Sequence, residues 1–240
     1  PINQLNPIII MSRTRSNSQG SSNPATKYLG WDTQASAWEF YDKENKKSCT
    51  LPSSTAFIVL DQLNTAKGWD DRKGGLWSNE VRSVADQLTI RSKDGVVATG
   101  TWSEVKTTNG IKFTKSVYAM AKVGEGYELV NFQLKGCALT AWIEFQDSIG
   151  GQSKLEGDVV VTVVDVVADK KGAVSFNKPV FGIVSETLSS DASAEADCMD
   201  AMLQEYLDSY LNPTKEPATE DEVVTPPVVD EPSFDDEDPF

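Results

Sequence analysis

Short stretches in which apolar and polar residues alternate begin at Tyr28 and recur as far as Val184. A period of two predicts half-buried strands. It predicts them at Ala37–Tyr41, Ser48–Leu51, Phe57–Leu63, Gln87–Arg91, Val96–Trp102, Ile111–Ala121 and Tyr127–Lys135. Lys93-Asp94-Gly95 and Asn109-Gly110 fall between neighbouring runs and have the composition of hairpin turns. On this reading Trp102–Lys106 is the arm that enters the second hairpin, and Gly68–Gly75 (GWDDRKGG) is a charged loop.

The period changes at Gly136–Phe145, where Ala138, Trp142 and Phe145 recur at helical spacing before Gly150-Gly151 ends the pattern. Two β-branched runs follow, Val159–Asp169 and Val174–Val184, with Lys170, Lys171 and Gly172 turning between them. Strands, one short helix, then two more strands predict a mainly β fold. The expected form is an OB-fold-like five-stranded antiparallel barrel with a short inserted helix; a β-sandwich is the alternative. Asp191–Leu211 reads as a C-terminal helix capped by Ser190 or Asp191, with Met199, Met202, Leu203, Tyr206 and Tyr210 as its apolar stripe. Docking on the body is the expected role of that stripe, ahead of a partner or dimer contact.

Four regions follow. Residues 1–26 are an expected disordered arm with Arg13 and Arg15, and residues 27–188 are the barrel domain. Residues 189–212 are the acidic amphipathic helix, and residues 213–240 are an expected disordered tail containing Pro213, Pro217, Pro226, Pro227 and Pro232.

Charge sharpens this division. The net charge is −14, yet residues 191–240 hold 16 acids and only Lys215, while residues 1–190 hold 20 acids and 21 bases. The body is therefore near neutral, and an acidic tail does not prevent it from binding anions. The chain has no histidine, which excludes Ser-His-Asp and Cys-His catalysis and HExxH zinc sites. Three widely spaced cysteines, Cys49, Cys137 and Cys198, suit a reducing compartment. No run approaches the roughly 18 apolar residues of a membrane span, and no signal peptide is evident at Pro1–Met11. The carboxylates, Trp69-Asp70-Asp71 among them, lack catalytic or metal spacing, and GEG at 124–126 lacks a nucleotide-binding context. No enzyme, cofactor or metal is expected.

All six tryptophans lie between Trp31 and Trp142. Two stretches mix aromatic and basic residues. One holds Trp69, Arg72, Lys73, Trp77, Arg82 and Arg91; the other holds Trp102, Lys106, Lys112, Phe113, Lys115 and Tyr118. Cations that meet phosphates beside rings that stack bases are what a single-strand groove needs. Each of these residues also has an ordinary reading, the rings as core and the cations as solvated surface. In the second stretch Phe113 and Lys115 share one strand face and Lys112, Thr114 and Ser116 the other, and Phe113 is the expected stacking residue. Trp142 is expected in the core.

The chain ends Asp235-Asp236-Glu237-Asp238-Pro239-Phe240. A terminal ring beside the α-carboxylate can enter an apolar pocket with a basic rim, and the acids steer that encounter. This ending resembles the tip of bacterial and phage single-stranded-DNA-binding proteins, with Asp238 where the bacterial tip has isoleucine. The resemblance implies an OB-fold body that binds and protects single-stranded DNA during phage replication, recombination and repair in the host cytoplasm. It also implies that the tip Asp235–Phe240 recruits a polymerase, helicase or nuclease. A homo-oligomer is compatible with it. A virion structural or carbohydrate-binding β-domain is the competing reading, since exposed tryptophans would serve that too.

Overall fold

The computed structural model describes residues 22–185 and 187–212. Eleven strands and three α-helices follow one another as β1 (Lys27–Asp32), β2 (Ala37–Asp42), β3 (Lys47–Pro52), β4 (Phe57–Asp70), β5 (Gly74–Ser78), β6 (Leu88–Ser92), β7 (Gly95–Gly100), α1 (Trp102–Val105), β8 (Ile111–Val123), β9 (Gly126–Leu134), α2 (Gly136–Ile149), β10 (Val160–Lys171), β11 (Val174–Ser185) and α3 (Ser190–Leu211). The strand order is β3-β2-β1-β9-β8-β4-β5-β6-β7, with β10 joining β4 and carrying β11. The fold is mainly β with a C-terminal helix, as expected. The sheet has more than five strands and no continuous ladder closes it.

β4 is the spine. It is antiparallel to β8 along its length, to β5 over Lys67–Asp70, and to β10 at Phe57 and Ile58. β1 is parallel to β9, with Tyr28 beside Asn131 and Leu29 beside Phe132.

Alternation along these strands sorts the side chains onto two faces. Val117, Ala119, Val130 and Phe132 point to one face, where α2 buries Ala138, Ala141, Trp142 and Phe145 against them. Phe181 of β11 and Trp38 of β2 complete that core. Tyr118, Met120, Leu63 and Leu129 point to the other face, where α3 buries Met199, Leu203 and Leu207. The C-terminal helix is docked, as its stripe predicts, but the stripe is rotated. Ala192, Ala196 and Leu207 join the buried face, and Met202 is 54% exposed. The Ser189 side chain accepts the Ala192 N–H and caps the helix, one residue before the expected position.

Three local expectations are corrected. The segment Gly68–Gly75 is not a loop: β4 runs to Asp70 and β5 starts at Gly74. Asp70 Oδ1 accepts the N–H groups of Arg72 (2.9 Å) and Lys73 (3.0 Å), which closes the hairpin in three residues. Trp102–Val105 is helical, not a strand, because Glu104 accepts the Thr101 N–H at 2.7 Å and its hydroxyl at 2.9 Å. That reciprocal cap was written in Thr101-x-x-Glu104. Residues 22–26 are tied down rather than free: Asn23 donates to the Tyr118 hydroxyl at 2.8 Å, and the Thr26 N–H donates to the Leu129 carbonyl at 2.8 Å. The arm before Ser22 and the tail after Asn212 lie outside the described residues. No helix among the described residues is long and apolar enough to cross a membrane.

Candidate nucleic-acid interface

A row of cations and one indole crosses four strands on the face that carries α3. Lys112 of β8 is paired with Lys67 of β4, Lys67 with Trp77 of β5, and Trp77 with Arg91 of β6. Directly paired antiparallel residues project to the same side. Leu76, Ile90, Ala66 and Ile111 occupy the alternate positions and form a separate apolar cluster beneath, with α1. The row is therefore the outer layer of a packed platform, not a set of side chains on a loop.

Trp69 follows Lys67 by two residues and extends the same side. It is 50% exposed, and its cross-strand partner is Gly75, so no side chain shields the ring there. Its backbone is held from below. The Trp69 N–H donates to the Gly110 carbonyl at 3.2 Å. Gly68 and Gly110 meet back to back: a Cβ on Gly68 would lie 1.9 Å from the Gly110 carbonyl oxygen, and one on Gly110 would lie 1.8 Å from that of Trp69. Gly110 also has φ +77°. Gly110→Ala is therefore expected to lower the thermal midpoint and displace Trp69, seen as changed quenching of its fluorescence. An unchanged midpoint and spectrum would show that this contact positions nothing.

Beside Trp69, Arg72 and Lys73 are exposed at the hairpin tip. Asp70 clips that tip to the loop that leads into β8, since its Oδ2 accepts the Asn109 side chain at 2.8 Å. The Asn109 bond and the two turn N–H groups hold the Asp70 carboxyl below the usual range. On the other flank the Lys67 ammonium sits 5.6 Å from the ring centre of Tyr28 on β1, a cation–π distance. Lys135 follows Gln133 by two residues in extended backbone, on the same side as Gln133 and its partner Ser116.

The end of the row nearest α3 is closed by a carboxylate. Glu80 accepts the Ser116 hydroxyl and the Tyr118 hydroxyl (2.7 Å), while its N–H donates to the Tyr210 hydroxyl at 2.8 Å. Burial, followed by the nearby Glu80 charge, pushes the Tyr118 hydroxyl far above the ordinary tyrosine value. It therefore remains a proton donor.

Six of the sequence candidates thus share one surface: Trp69, Arg72, Lys73, Trp77, Arg91 and Lys112. The others do not. Tyr118 is fully buried and unavailable to a base. Arg82 is ion-paired with Asp61. Phe113 is on the opposite face, paired with Ala66, its ring 5.2 Å from that of Trp102. Lys115 is also there and donates to Asn64 Oδ1 at 2.8 Å, and burial lowers its pKa. Lys106 is exposed just after α1. The expectation that Phe113 shares a face with Lys115 holds, but the sheet separates both from Trp69 and Trp77. Sequence reasoning missed Lys67, Tyr28 and Lys135. Ending the strand at Leu63 hid the Lys67–Trp69 alternation that would have shown the first. Asp235, Asp236, Glu237, Asp238, Pro239 and Phe240 lie outside the described residues.

Among the described residues, no group of three His, Cys, Asp or Glu side chains is placed to hold a metal ion. No protein-family model matches this chain, and neither a curated protein nor a solved structure matches it.

Proposed function

We propose that this protein binds single-stranded DNA without catalysis, largely without sequence preference, during phage DNA replication, recombination and repair in the host cytoplasm. The observation that carries the reading is the cross-strand row Lys112–Lys67–Trp77–Arg91 with Trp69 exposed beside it. Cations at strand spacing meet phosphates, and the indoles offer stacking faces to any base.

The chain path supports an OB-like body. β4, β8 and β9 are consecutive antiparallel neighbours, α2 follows, and β10 returns to β4 with β11 beside it. An OB-fold binds oligonucleotides on its second and third strands and on the loop joining its first two. On this reading those are β8, β9 and the insertion that contains β5–β7, where Lys112, Trp77 and Arg91 lie, with Lys135 just after β9.

The acidic tail is assigned two roles: its tip, Asp235–Phe240, recruits replication proteins, and its charge competes with DNA for the basic row. The place where α3 ends supports the second role. Tyr210 is bonded to Glu80, three residues along the chain from Trp77, so α3 ends beside the row. Removing residues 213–240 takes away ten acids and Lys215 and moves the net charge from −14 to −5. Tighter binding to oligo-dT is expected from that truncation, with the gain largest at low salt. Deleting Phe240 alone should leave DNA affinity unchanged and abolish capture of the partner. Equal DNA affinity with and without the tail removes self-competition, and undiminished capture without Phe240 removes the tip.

The deciding experiment is a mobility shift with labelled oligo-dT, the same length of duplex, and a glycan panel. Preference for the single strand, weakening steeply with salt through counterion release, is expected. Retention on glycans with none on oligo-dT would replace this reading with a carbohydrate-binding one.

A further inference from the structure

The cationic tip between β4 and β5 carries two acids in different settings. Asp71 is exposed, and its carboxylate accepts no hydrogen bond from another described residue. Asp70, one residue earlier, is only 8% exposed, although Trp69 before it and Arg72 and Lys73 after it are exposed. An acid among cations weakens the field that draws a polyanion to them. Asp71 does that and nothing more. Asp70 is also the centre of a set of bonds that reaches outside the hairpin.

Those bonds run to two segments. Oδ1 takes the Arg72 and Lys73 N–H groups, which folds the tip back onto β4. Oδ2 takes the Asn109 side chain, 39 residues along the chain. Asn109 stands on a braced loop: the Thr108 N–H donates to the Val105 carbonyl at 2.9 Å, and the Ile111 N–H donates to the Thr108 carbonyl at 3.3 Å. Val105 and Ile111, on either side of it, are buried with Leu76 and Ile90 in the apolar cluster beneath the row. The loop is thus fixed to that cluster, and Asp70 fixes the tip to the loop. The close approach of Gly68 and Gly110 makes the same junction through the backbone. The Trp69 ring reaches over the start of β5, with its Cη2 3.9 Å from where a Cβ on Gly74 would lie. A tip without this brace would be ordered only when a ligand bound, and each side chain immobilised at that moment subtracts from affinity. Trp69, Arg72 and Lys73 are the three side chains concerned.

We propose that Asp70, through Asn109, is a positioning residue for strand binding: it holds Trp69, Arg72 and Lys73 ready to meet a base and its phosphates. This rests on the single-strand reading of the row. Two acids one residue apart then act with opposite sign on a polyanion. Asp71 opposes binding by its charge, whereas the geometry that Asp70 imposes outweighs the charge it carries. The 107–110 loop and α1 serve the interface from beneath, as its strut.

The test measures oligo-dT affinity of the full chain at low and moderate salt, with the thermal midpoint of each variant. Asp71→Ala is expected to bind at least as tightly as wild type, with any gain largest at low salt. Asp70→Ala removes the same charge and is expected to bind about fivefold or more weakly. Asp70→Asn keeps an acceptor for the turn N–H groups and an amide that pairs with Asn109 once the latter turns over, and is expected to recover most of the loss. Asn109→Ala cuts the clip from its exposed side and is expected to match Asp70→Ala; it carries the test if Asp70→Ala does not fold. Asp70→Ala binding as tightly as wild type would overturn the proposal. So would an Asp70→Asn chain as weak as Asp70→Ala, since charge and not the bonds would then matter. A wild-type chain that does not bind oligo-dT overturns the strand-binding reading instead. The clip is then read in the iodide quenching of Trp69, taken as the difference from Trp69→Phe. A rise in Asp70→Ala and Asn109→Ala but not in Asp71→Ala supports the positioning of the ring, and no rise overturns it.

Discussion

Trp142→Ala is expected to destabilise the fold by about 3–5 kcal/mol, the range for emptying a large aromatic site. Its side chain has no exposure and sits among Phe57, Phe145 and Phe181. Its Nε1–H also donates to Gln62, so the substitution removes both ring packing and one of the two bonds that fix that buried amide. For a domain of this size the expected fall in thermal midpoint is on the order of 6–20 °C. The basic row lies on the opposite side of the sheet, so strand affinity measured well below the new midpoint should be unchanged. A midpoint within two or three degrees of wild type would mean that α2 is not seated as described.

The second large effect concerns the row itself. Trp69→Ala is expected to weaken binding to oligo-dT by about 1–3 kcal/mol, roughly 5- to 150-fold, with no fall in thermal midpoint. Trp77→Ala removes a half-buried ring and should weaken binding in the same direction, with some loss of stability. Substituting Lys67, Arg91 and Lys112 together by Ala acts differently. Each cation that meets a phosphate contributes about 0.7 to the salt slope on a single strand, so three should flatten it by about 2. Trp102→Ala and Phe113→Ala are the matched controls: their rings pack on each other on the far face. They should cost stability and leave affinity in place. If the controls lose affinity while Trp69→Ala does not, the binding face has been assigned to the wrong side of the sheet.

The contrast between Phe113 and Trp69 shows what the sequence could convey. Alternation placed Phe113 and Lys115 on one face of β8 correctly, because the period of a strand is local. Which face meets solvent is not local. It depends on where α1 and α3 return to the sheet, and both come from outside the strand. The C-terminal helix was legible in extent and in docking. Its buried stripe was misjudged because small residues, Ala192 and Ala196, occupy the contact, and a pattern weighted by side-chain size passes over them. The length of β4 was hidden by Asn64 and Gly68, poor markers of a central strand. They are tolerated because the Asn64 side chain donates to the Arg82 carbonyl, and Gly68 admits the 109–110 backbone. The long-range bonds that tie Glu80 to Ser116, Tyr118 and Tyr210 have no trace in any short window.

The parallel strand β1 sets an order of events during synthesis. Lys27–Leu29 leave the ribosome about a hundred residues before Val130–Phe132, the segment they pair with. Until then β1, β2 and β3 form at most a three-stranded meander whose β1 edge is unpaired. Tyr118 and Met120 wait longer still, since the helix that covers them ends at Leu211. Nascent chains therefore pass through a state with an open sheet edge and an uncovered apolar face, the conditions under which partly made chains associate. The sheet edge and the apolar face are completed late in synthesis, so lowering the expression temperature is expected to raise soluble yield.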